Sequence, residues 1–587
     1  MASSQKIRVN WRDWSEETFK LAEKEGKLIL LNLWATWCHW CRVMNETSYS
    51  DPEIIDIINS NFVPVQVNID RRPDIVERYN FGGSPTTAFL TPEGEVVTGG
   101  TYIPPEKLKP LLGQVKNFYE TNKASLKGKV LELKKARASL ETASVETEEL
   151  SESIIQEIVD KVVDSFDSTY GGFSTTPKLP MSEALELALS QYVLKRDDVL
   201  LYIVTKTLSE MRSRNICDRI AGGFFRYSVT QDWSSPRYEK ILLSNAQLLR
   251  NYIHAYQVTG KMEYAETARE IIRYVDSTLS DKENGGFYGS QAADEQYYKL
   301  SEDKRKKEVP PMVDKTIYTD WNALMISAYL EAYATLGIEE CRKFAVRTIE
   351  FIVSKLYRKG VGLYHYFDGK PEVTLLLNDN LFFARALIDA YQILGEKIYL
   401  KLAGEMADFV LDNFVDMQRG GVFDTLPDVN AVGLVKNRRK NIVQNALTAD
   451  MFNTLYHITD KKMYHAVAEV TLTTFTKTYK SYELHATAYA QAVDRFLNPP
   501  TKIVVIGSKS DEKTHELHIR ALNIFEPRRI VECLDPEEDK EKIQKSNLAQ
   551  TMEPAVYACI ENACSAPIKE PEKVTQKIKD FITTQRK

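Results

Sequence analysis

Residues 29–34 are almost wholly apolar and do not alternate between polar and apolar positions. This pattern predicts a strand that is covered on both faces. The residues from there to position 59 have helical spacing. Later segments predict strands at 62–69, 86–90 and 95–98, a short helix opening at 72–74, and a closing helix at 104–119.

Residues 151–498 consist of segments with helical periodicity that come in pairs. A short motif of the Ala-Tyr-Gln-Val-Thr-Gly type marks the end of one helix and the start of the next, at 255–260, 332–337, 390–395 and 455–460. Counting the segments gives twelve helices, the number that an (α/α)6 toroid needs. An open superhelical solenoid is the alternative, since helical hairpins build both. Irregular repeat lengths and long aromatic loops at one end favour the closed toroid.

The first apolar strand leads directly into two cysteines three positions apart, Cys38 and Cys41. Cys38 would lie at a helix N-terminus, where free N–H groups favour a thiolate, so Cys38 is the expected nucleophile and Cys41 the resolving thiol. His39, when protonated, would add to this stabilisation. Flanking Trp37 and Trp40 favour a redox motif over two core cysteines, or over a metal site with His39 as third ligand.

Pro85 is expected to form a cis peptide bond with Ser84, just before the third strand. Such a bond is rare and would present the backbone to a partner's disulfide beside the cysteines. An ordinary trans turn proline is the alternative. The order of elements, the dithiol and the proline together predict a thioredoxin-like α/β fold.

Shifts in composition divide the chain into four parts. We expect a thioredoxin-like domain at 1–122 and a charged helix with linker at 123–150. The (α/α)6 toroid follows at 151–498, and a small α/β domain at 499–587. The predicted fold class is therefore multidomain.

The net charge of −6 over 587 residues argues against a nucleic-acid binder, which would need a strongly basic face. A basic cluster at 304–307 is expected to be a solvated loop. Seven cysteines are few and odd in number, unlike a secreted disulfide framework. No apolar signal segment or membrane-spanning stretch is found, so we expect a cytoplasmic protein with no membrane partner, whose dithiol rests reduced.

The long loops of the toroid carry a second group of candidate residues. Their aromatic rings could stack on sugars and their charged groups could bind hydroxyls or move protons. The alternative is that the aromatic rings pack loop to loop and the charges pair, for instance Arg237 with Glu239. The candidates are Arg226, Tyr227, Trp233, Arg237, Glu239, Tyr288, Asp294, Trp321, His365 and Asp379.

Several long motifs give the chain a family resemblance. They include Cys-His-Trp-Cys-Arg-Val-Met at 38–44, Gly-Gly-Ser-Pro at 82–85, Gly-Gly-Phe-Tyr at 285–288 and Trp-Asn at 321–322. With these motifs the chain resembles the thioredoxin-domain proteins related to spermatogenesis-associated protein 20. The resemblance covers nearly the whole chain. It implies a thioredoxin-like domain joined to a barrel similar to those of six-hairpin glycosidases and sugar epimerases, and it implies architecture more than an activity.

The chain departs from that family at several positions. Three positions that are usually His in the family appear here as Arg42, Phe225 and Arg237, and Ser84 stands where a Trp usually precedes the proline. Asp294 is retained. Loss of imidazoles that titrate near neutrality weakens an acid–base role for the barrel loops.

The leading hypothesis is a thiol–disulfide oxidoreductase that acts on a disulfide-bearing protein or a small thiol. Cys38 would attack, Pro85 would align the partner, and Cys41 would resolve the mixed disulfide. The alternatives are a barrel that binds or modifies a sugar, with the first domain as regulator, and a non-catalytic adaptor. No cofactor and no metal are expected.

Two cysteines near the C-terminus, Cys559 and Cys564, bracket a predicted turn. They could form a disulfide, serve as a substrate of the dithiol in a relay, or be inert. The sequence leaves these three alternatives open.

Overall fold

The computed structural model describes residues 8–142, 146–173, 176–546, 548 and 553–586. A thioredoxin-like unit, a ring of helices and a small α/β unit follow one another along the chain. The predicted multidomain fold class is confirmed. Within the part of the chain just given, no helix has both the length and the apolar character needed to cross a membrane.

The thioredoxin-like unit contains a four-stranded sheet in the order β2-β1-β3-β4. β1 pairs with β2 in parallel and with β3 in antiparallel orientation. Its elements are α1 (Glu16–Glu25), β1 (Leu28–Trp34), α2 (His39–Glu46), α3 (Pro52–Asn61), β2 (Phe62–Asn68), α4 (Pro73–Tyr79), β3 (Thr86–Leu90), β4 (Val96–Gly100) and α5 (Pro105–Thr142).

Strand β1 is buried from Leu28 to Leu33, as its apolar sequence predicts. Leu28 and Leu30 face a core shared with α3 and α5. Ile29, Leu31 and Leu33 face the opposite core, which includes Ala431, Val432 and Val435 from a loop of the helical ring. The ring therefore completes one of the two cores of the thioredoxin-like unit.

Helix α5 is longer than predicted. The expected closing helix at 104–119 and the charged helix after 122 are one continuous element of 38 residues. Its distal part is held by Arg137, which forms a two-pronged ion pair with Glu95 at 2.5 Å. Glu95 is buried in the turn before β4, so the pair fixes the charged end of the helix against the sheet.

The middle of the chain forms two concentric layers of helices. Its α-helices are α6 (Glu152–Asp164), α7 (Ser182–Lys195), α8 (Asp198–Ser213), α9 (Leu242–Thr259), α10 (Met262–Tyr274), α11 (Glu295–Tyr298), α12 (Glu302–Arg305), α13 (Thr319–Leu336), α14 (Glu339–Phe351), α15 (Leu377–Leu394), α16 (Lys397–Phe414), α17 (Ile442–Thr459), α18 (Lys462–Thr473) and α19 (Thr487–Leu497).

Helices α7, α9, α13, α15, α17 and α19 form the inner layer, and each packs against the next. The ring closes because α19 also packs against α7. Helices α8, α10, α14, α16 and α18 each pack outside the inner helix that precedes them, and α6 covers α19. The twelve principal helices therefore form the predicted (α/α)6 toroid rather than an open solenoid.

The loops of the toroid contain short strands and non-α turns. The strands are β5 (Tyr227–Ser228), β6 (Pro236–Arg237), β7 (Lys240–Ile241), β8 (Ser290–Gln291), β9 (Val313–Asp314), β10 (Ile317–Tyr318), β11 (Tyr357–Arg358), β12 (Gly362–Leu363), β13 (Tyr366–Phe367) and β14 (Pro371–Glu372). Helices α10 and α14 end in π-helical turns at Val275–Leu279 and Ile352–Leu356.

A buried asparagine near the start of an inner helix anchors each of four turns in these loops. In each case the side-chain carbonyl accepts a hydrogen bond from a main-chain N–H in the turn, where glycines adopt positive φ. The repeated sequence of glycine and an aromatic or aliphatic residue is thus explained by helix-to-turn anchoring. The pairs are Asn245 with Phe224, Asn322 with Phe287, Asn380 with Leu363, and Asn445 with Val422.

The C-terminal unit has a sheet in the order β16-β15-β17-β18, and Cys559 and Cys564 form a disulfide between its last two strands. Tyr391 of α15 donates a hydrogen bond to Glu532 at 2.8 Å, which joins this unit to the ring. Its elements are β15 (Thr501–Ile506), α20 (Glu512–Leu522), β16 (Arg529–Leu534), α21 (Lys540–Lys545), β17 (Ala555–Ile560), β18 (Ala563–Cys564) and α22 (Pro571–Gln585).

The thioredoxin-like unit and the ring meet closely at two glycines, Gly94 and Gly433. A Cβ on Gly94 would overlap the Cα of Gly433, and a Cβ on Gly433 would overlap the hydroxyl of Tyr79. That hydroxyl donates to the carbonyl of Gly94 at 2.9 Å and accepts from the N–H of Leu434 at 2.7 Å. Main chain from both units is therefore in direct contact.

Candidate active site

The dithiol lies at the junction of β1 and α2. Cys38 is the N-cap of α2, and its Sγ accepts a hydrogen bond from the N–H of Cys41 at 3.1 Å. The two sulfurs form a disulfide. When the pair is reduced, the same N–H and the positive end of the helix dipole would favour a thiolate at Cys38. Both side chains are buried, at 7% and 6% exposure.

Pro85 lies at the same edge of the sheet. The Ser84–Pro85 bond is cis, as predicted. Thr86 pairs with Leu33 of β1, so the cis bond lies beside the end of the strand that leads to the cysteines. Pro85 itself is buried.

Trp37 precedes the nucleophile and is held by Asp70. Its Nε1 donates to the Asp70 carboxylate at 2.8 Å, and both residues are buried. Burial raises the pKa of Asp70 to about 7, helped by the charge of Asp314 and opposed by the Trp37 hydrogen bond. Asp70 was not among the predicted site residues. The available signal was its position just beyond β2, a strand that runs parallel to β1 and so ends at the same edge.

Loops of the ring lie directly across the redox motif. The guanidinium of Arg226 stands over the ring of Trp37 at 4.4 Å and forms an ion pair with Glu239 at 3.1 Å. The N–H of Ala293 donates to the carbonyl of Trp37 at 3.2 Å. Loops of the toroid therefore cover both the main chain and the indole of Trp37.

The two residues between the cysteines are only partly buried. Trp40 packs against Tyr102 with ring centroids 4.8 Å apart, and the guanidinium of Arg237 lies 5.7 Å from its centroid. Burial lowers the pKa of His39, and the charges of Arg42 and Arg237 lower it further. His39 is therefore mainly neutral at pH 7 and does not supply the positive charge that the sequence suggested.

His365 connects the ring to the residues behind the dithiol. Its Nε2 donates to the main-chain carbonyl of Asp70 at 2.7 Å, and its Nδ1 donates to Asp379 at 2.9 Å. Burial lowers the pKa of this imidazole, but the charge and hydrogen bond of Asp379, the charge of Asp320 and the Asp70 carbonyl together raise it to about 9. Burial raises the pKa of neighbouring Asp320 to about 7.

Asp320, His365 and Asp379 form the group among the described residues that is compact enough to hold a metal ion. A metal-binding imidazole needs a free nitrogen lone pair. Here Nε2 contacts a carbonyl oxygen, which only accepts, and Nδ1 contacts a carboxylate while the group is protonated. The geometry is that of an imidazolium between a main-chain carbonyl and a carboxylate.

A cavity of about 610 Å³ lies between the redox motif and the ring. Ala293 and His39 both line it. Arg237 and Glu239 line it as well, with Tyr298 on the ring side. Of residues 37–41, His39 is the one that lines this cavity.

The structure does not gather the ten candidate loop residues into one pocket. Arg226, Glu239, Arg237 and Tyr227 lie beside Trp37 and Trp40. Glu239 pairs with Arg226 rather than with Arg237, the partner named as an example in the alternative of paired charges. The other six lie apart. His365 and Asp379 pair beneath Asp70, and Trp321 packs on Tyr318. Trp233 is fully buried, Asp294 caps α11, and Tyr288 lies near Lys315.

Arg305 corrects the prediction that the basic cluster at 304–307 is a solvated loop. This residue ends α12 and is only 8% exposed. It donates to both oxygens of Asp218 at 2.9 Å, and Lys240 donates to the same carboxylate at 2.7 Å. A paired arginine inside a basic run cannot be distinguished from exposed neighbours by composition.

Comparisons with known proteins found the following similarities. Residues 1–137 match the family described as "Thioredox_DsbH: Protein of unknown function, DUF255". Human spermatogenesis-associated protein 20 is 23% identical, over 96% of this chain and 89% of its own. A Caenorhabditis elegans protein, B0495.5, is 24% identical over 98% and 95%. Cellobiose 2-epimerase from Bacillus thermoamylovorans aligns with a TM-score of 0.46 and 12% identity, over 56% of this chain and 88% of its own.

The similarity to spermatogenesis-associated protein 20 thus extends over nearly the whole chain, including the toroid. Its N-terminal part matches the thioredoxin-like DsbH family. The resemblance indicated by the sequence motifs, to the thioredoxin-domain proteins related to spermatogenesis-associated protein 20, is therefore confirmed.

Proposed function

We propose that the protein is a thiol–disulfide oxidoreductase whose reactive pair is Cys38 and Cys41. The observation that carries the proposal is the position of the Cys38 sulfur at the N-terminus of α2, within hydrogen-bond distance of the Cys41 N–H. This environment stabilises a thiolate, the form of cysteine that attacks disulfides. The cis bond at Pro85 on the same sheet edge supports the same role.

In the proposed reaction, the Cys38 thiolate attacks one sulfur of a substrate disulfide and displaces the other sulfur as a thiolate. Cys41 then loses its proton and attacks the Cys38 sulfur of the mixed disulfide. The second substrate sulfur leaves as a thiolate, and the protein is left with its disulfide. Two electrons pass to the substrate. The cysteines are few and odd in number, which supports a reducing, cytoplasmic setting. There the Cys38–Cys41 disulfide would be reduced to the dithiol again.

The test is a redox equilibration of the protein in buffers with a series of glutathione ratios, followed by acid quenching and thiol counting. The Cys559→Ser, Cys564→Ser double variant serves as the background, because the second disulfide would otherwise contribute thiols. We expect a reversible two-electron transition at potentials of about −270 to −120 mV, the span of known dithiol oxidoreductases.

The matched experiment adds Cys41→Ser or Cys38→Ser to that background. With Cys41→Ser, we expect a stable mixed disulfide at Cys38, because no thiol remains to resolve it. With Cys38→Ser, the mixed disulfide is not expected at Cys41. A pair that forms no reversible disulfide, or that reacts equally through either cysteine, contradicts the proposal.

A second proposal concerns the ring, which we infer binds a small polar ligand such as a sugar. It is supported by a cavity of about 300 Å³ that is lined by inner-helix residues and by residues 525–531 of the C-terminal unit. Arg250 pairs there with Glu331 at 2.7 Å, and His254 contacts Glu186 at 2.9 Å. A small site with many donors and acceptors and an apolar wall suits a polyhydroxylated molecule.

Thermal unfolding in the presence of a panel of mono- and disaccharides tests this second proposal. A binding sugar should raise the midpoint of unfolding, and the increase should persist in Cys38→Ser but be lost in His254→Gln. His515→Gln, which changes an exposed imidazole outside the cavity, is the matched control. If no sugar in the panel shifts the midpoint, the sugar proposal fails.

A further inference from the structure

We propose that the dithiol acts on a small disulfide whose halves carry carboxylates, and that Arg237 binds one of these carboxylates in the cavity lined by His39, the residue after Cys38. This inference rests on the proposed oxidoreductase function. It adds the size of the substrate, its charge and the residue that recognises it.

The cavity borders one chain neighbour of the nucleophile and a loop residue that is bonded to the other. His39, which directly follows Cys38, lines it. Ala293 lines it too, and its N–H is bonded to the carbonyl of Trp37, which directly precedes Cys38. A molecule in this cavity therefore lies against the residue that directly follows Cys38.

The covering of the motif favours a small substrate. Trp37, Cys38 and Cys41 are each less than 8% exposed, and a ring loop is bonded to the main chain at Trp37. A folded protein would have to displace that loop to bring its own disulfide to Cys38. A cavity of about 610 Å³ is within the range that encloses small molecules.

The charges that line the cavity indicate the chemistry of the ligand. Arg305 is paired with Asp218, and Lys299 is paired with Glu295. The only other acidic residue in the lining, Glu239, is paired with Arg226. These carboxylates are therefore already engaged by basic side chains.

Arg237 differs from these basic residues and from Arg219, an exposed residue of the lining that donates to the carbonyl of Ser213. Its guanidinium lies against Trp40, and its Nε is buried without a hydrogen-bond partner among the described residues. No carboxylate within the described part of the chain forms an ion pair with it. A partly buried guanidinium with free donors is a ready site for a carboxylate, which it can bind through two parallel hydrogen bonds.

The reaction balances with this ligand alone. The reduced dithiol and one molecule of the disulfide yield the Cys38–Cys41 disulfide and two molecules of the carboxylate-bearing thiol. The two protons of the dithiol pass to the two released thiolates. Arg237 holds a carboxylate throughout and takes no part in the exchange of sulfurs, so it is a positioning residue.

The test measures the rate at which the pre-reduced protein, in the Cys559→Ser, Cys564→Ser background, is oxidised by three small disulfides. They are oxidised glutathione, which carries carboxylates, hydroxyethyl disulfide, which is neutral, and cystamine, which is cationic. We expect oxidised glutathione to react fastest. In Arg237→Gln, the ratio of its rate to that of hydroxyethyl disulfide should fall about tenfold or more, since a charge-assisted, two-pronged contact is lost.

Two matched variants accompany this measurement. Arg237→Lys keeps the charge and should retain part of the preference, with the effect concentrated in the concentration dependence of the rate. Arg520→Gln removes an exposed arginine of α20 and should leave all three rates unchanged. A preference that falls equally in Arg520→Gln would reflect net charge rather than the cavity.

The outcomes separate this inference from the proposed function. If all three disulfides react at similar rates, or if Arg237→Gln slows them in equal proportion, the dithiol is active and the carboxylate site is rejected. A protein disulfide such as insulin that reacts faster than oxidised glutathione rejects the small substrate. If no disulfide oxidises the pair, the oxidoreductase function itself fails.

Discussion

His365 of the toroid donates a hydrogen bond through Nε2 to the main-chain carbonyl of Asp70 at 2.7 Å. The carboxylate of the same aspartate accepts from Trp37, the residue before Cys38. A buried imidazolium of the ring thus fixes the segment that positions the redox motif. The two residues are 295 positions apart in the sequence.

Replacing His365 with glutamine should destabilise the protein by about 3 kcal/mol or more, because Asp379 and Asp320 would stay buried without their cation. Urea unfolding followed by tryptophan fluorescence measures the effect. His515→Gln, at an exposed position, should cost about 0.5 kcal/mol or less. Equal effects of the two changes would mean that the buried contact adds nothing.

The stability lost in His365→Gln should also depend on pH. The folded pKa of His365 is raised to about 9, above its unfolded value of about 6.5. Its contribution to stability is therefore complete below pH ~6.5 and is lost as the pH rises through about 9. The difference in unfolding free energy between wild type and His365→Gln should shrink over that interval. A constant difference would contradict a protonated His365.

Asp70→Asn tests the carboxylate behind the dithiol. The amide oxygen can still accept from Trp37, but the negative charge that forms above pH ~7 is removed. We expect the apparent pKa of the Cys38 thiol to fall and an inflection near pH 7 to disappear from the rate of alkylation by iodoacetamide. Asp56→Asn, at an exposed site of α3, is the control. Superimposable profiles for wild type and Asp70→Asn would exclude this coupling.

Arg78 offers a test of how the thioredoxin-like unit is held on the ring. Its fully buried guanidinium pairs with Asp424 at 2.5 Å and donates to the carbonyl of Asn437. Arg78→Met leaves a buried carboxylate unpaired and should cost about 3–5 kcal/mol in the free energy of urea unfolding. Arg71→Met breaks the partly exposed pair with Asp368 and should cost about 1 kcal/mol or less. Comparable losses would show that burial of the Arg78 pair is unimportant.

The Cys559→Ser, Cys564→Ser variant is expected to lower the free energy of unfolding by about 2 kcal/mol. A disulfide that closes a loop of this short length removes little entropy from the unfolded chain. Denaturant unfolding of the oxidised proteins gives the value. The potential of the Cys38–Cys41 pair should be the same in the variant. A shifted potential would show that the two cysteine pairs are energetically coupled.

Local patterns were sufficient to predict much of the fold. The buried run at β1, the cis bond at Pro85 and the helix count of the toroid each depend on neighbouring residues and on periodicity. The continuity of α5 was missed, because the closing helix and the charged helix after it were predicted as two elements, and the contact of Arg137 with Glu95 is not visible in the sequence.

The dithiol was predictable for the same reason, since both cysteines belong to one short motif. Its surroundings were not. Arg226 reaches Trp37, and His365 reaches Asp70, across contacts that exist only after the two units have docked. Residue type and spacing gave no sign that the loops expected to bind a sugar would instead cover the redox motif.

The contact between Gly94 and Gly433 restricts how the two units can change in evolution. Neither position has room for a side chain, and each is restricted by a residue of the other unit or by the main chain itself. A substitution in one unit therefore cannot be compensated within that unit alone. Recombination that paired this toroid with a thioredoxin-like domain bearing any larger residue at position 94 would give a chain that cannot close. The two units are therefore expected to accept changes at these positions only together.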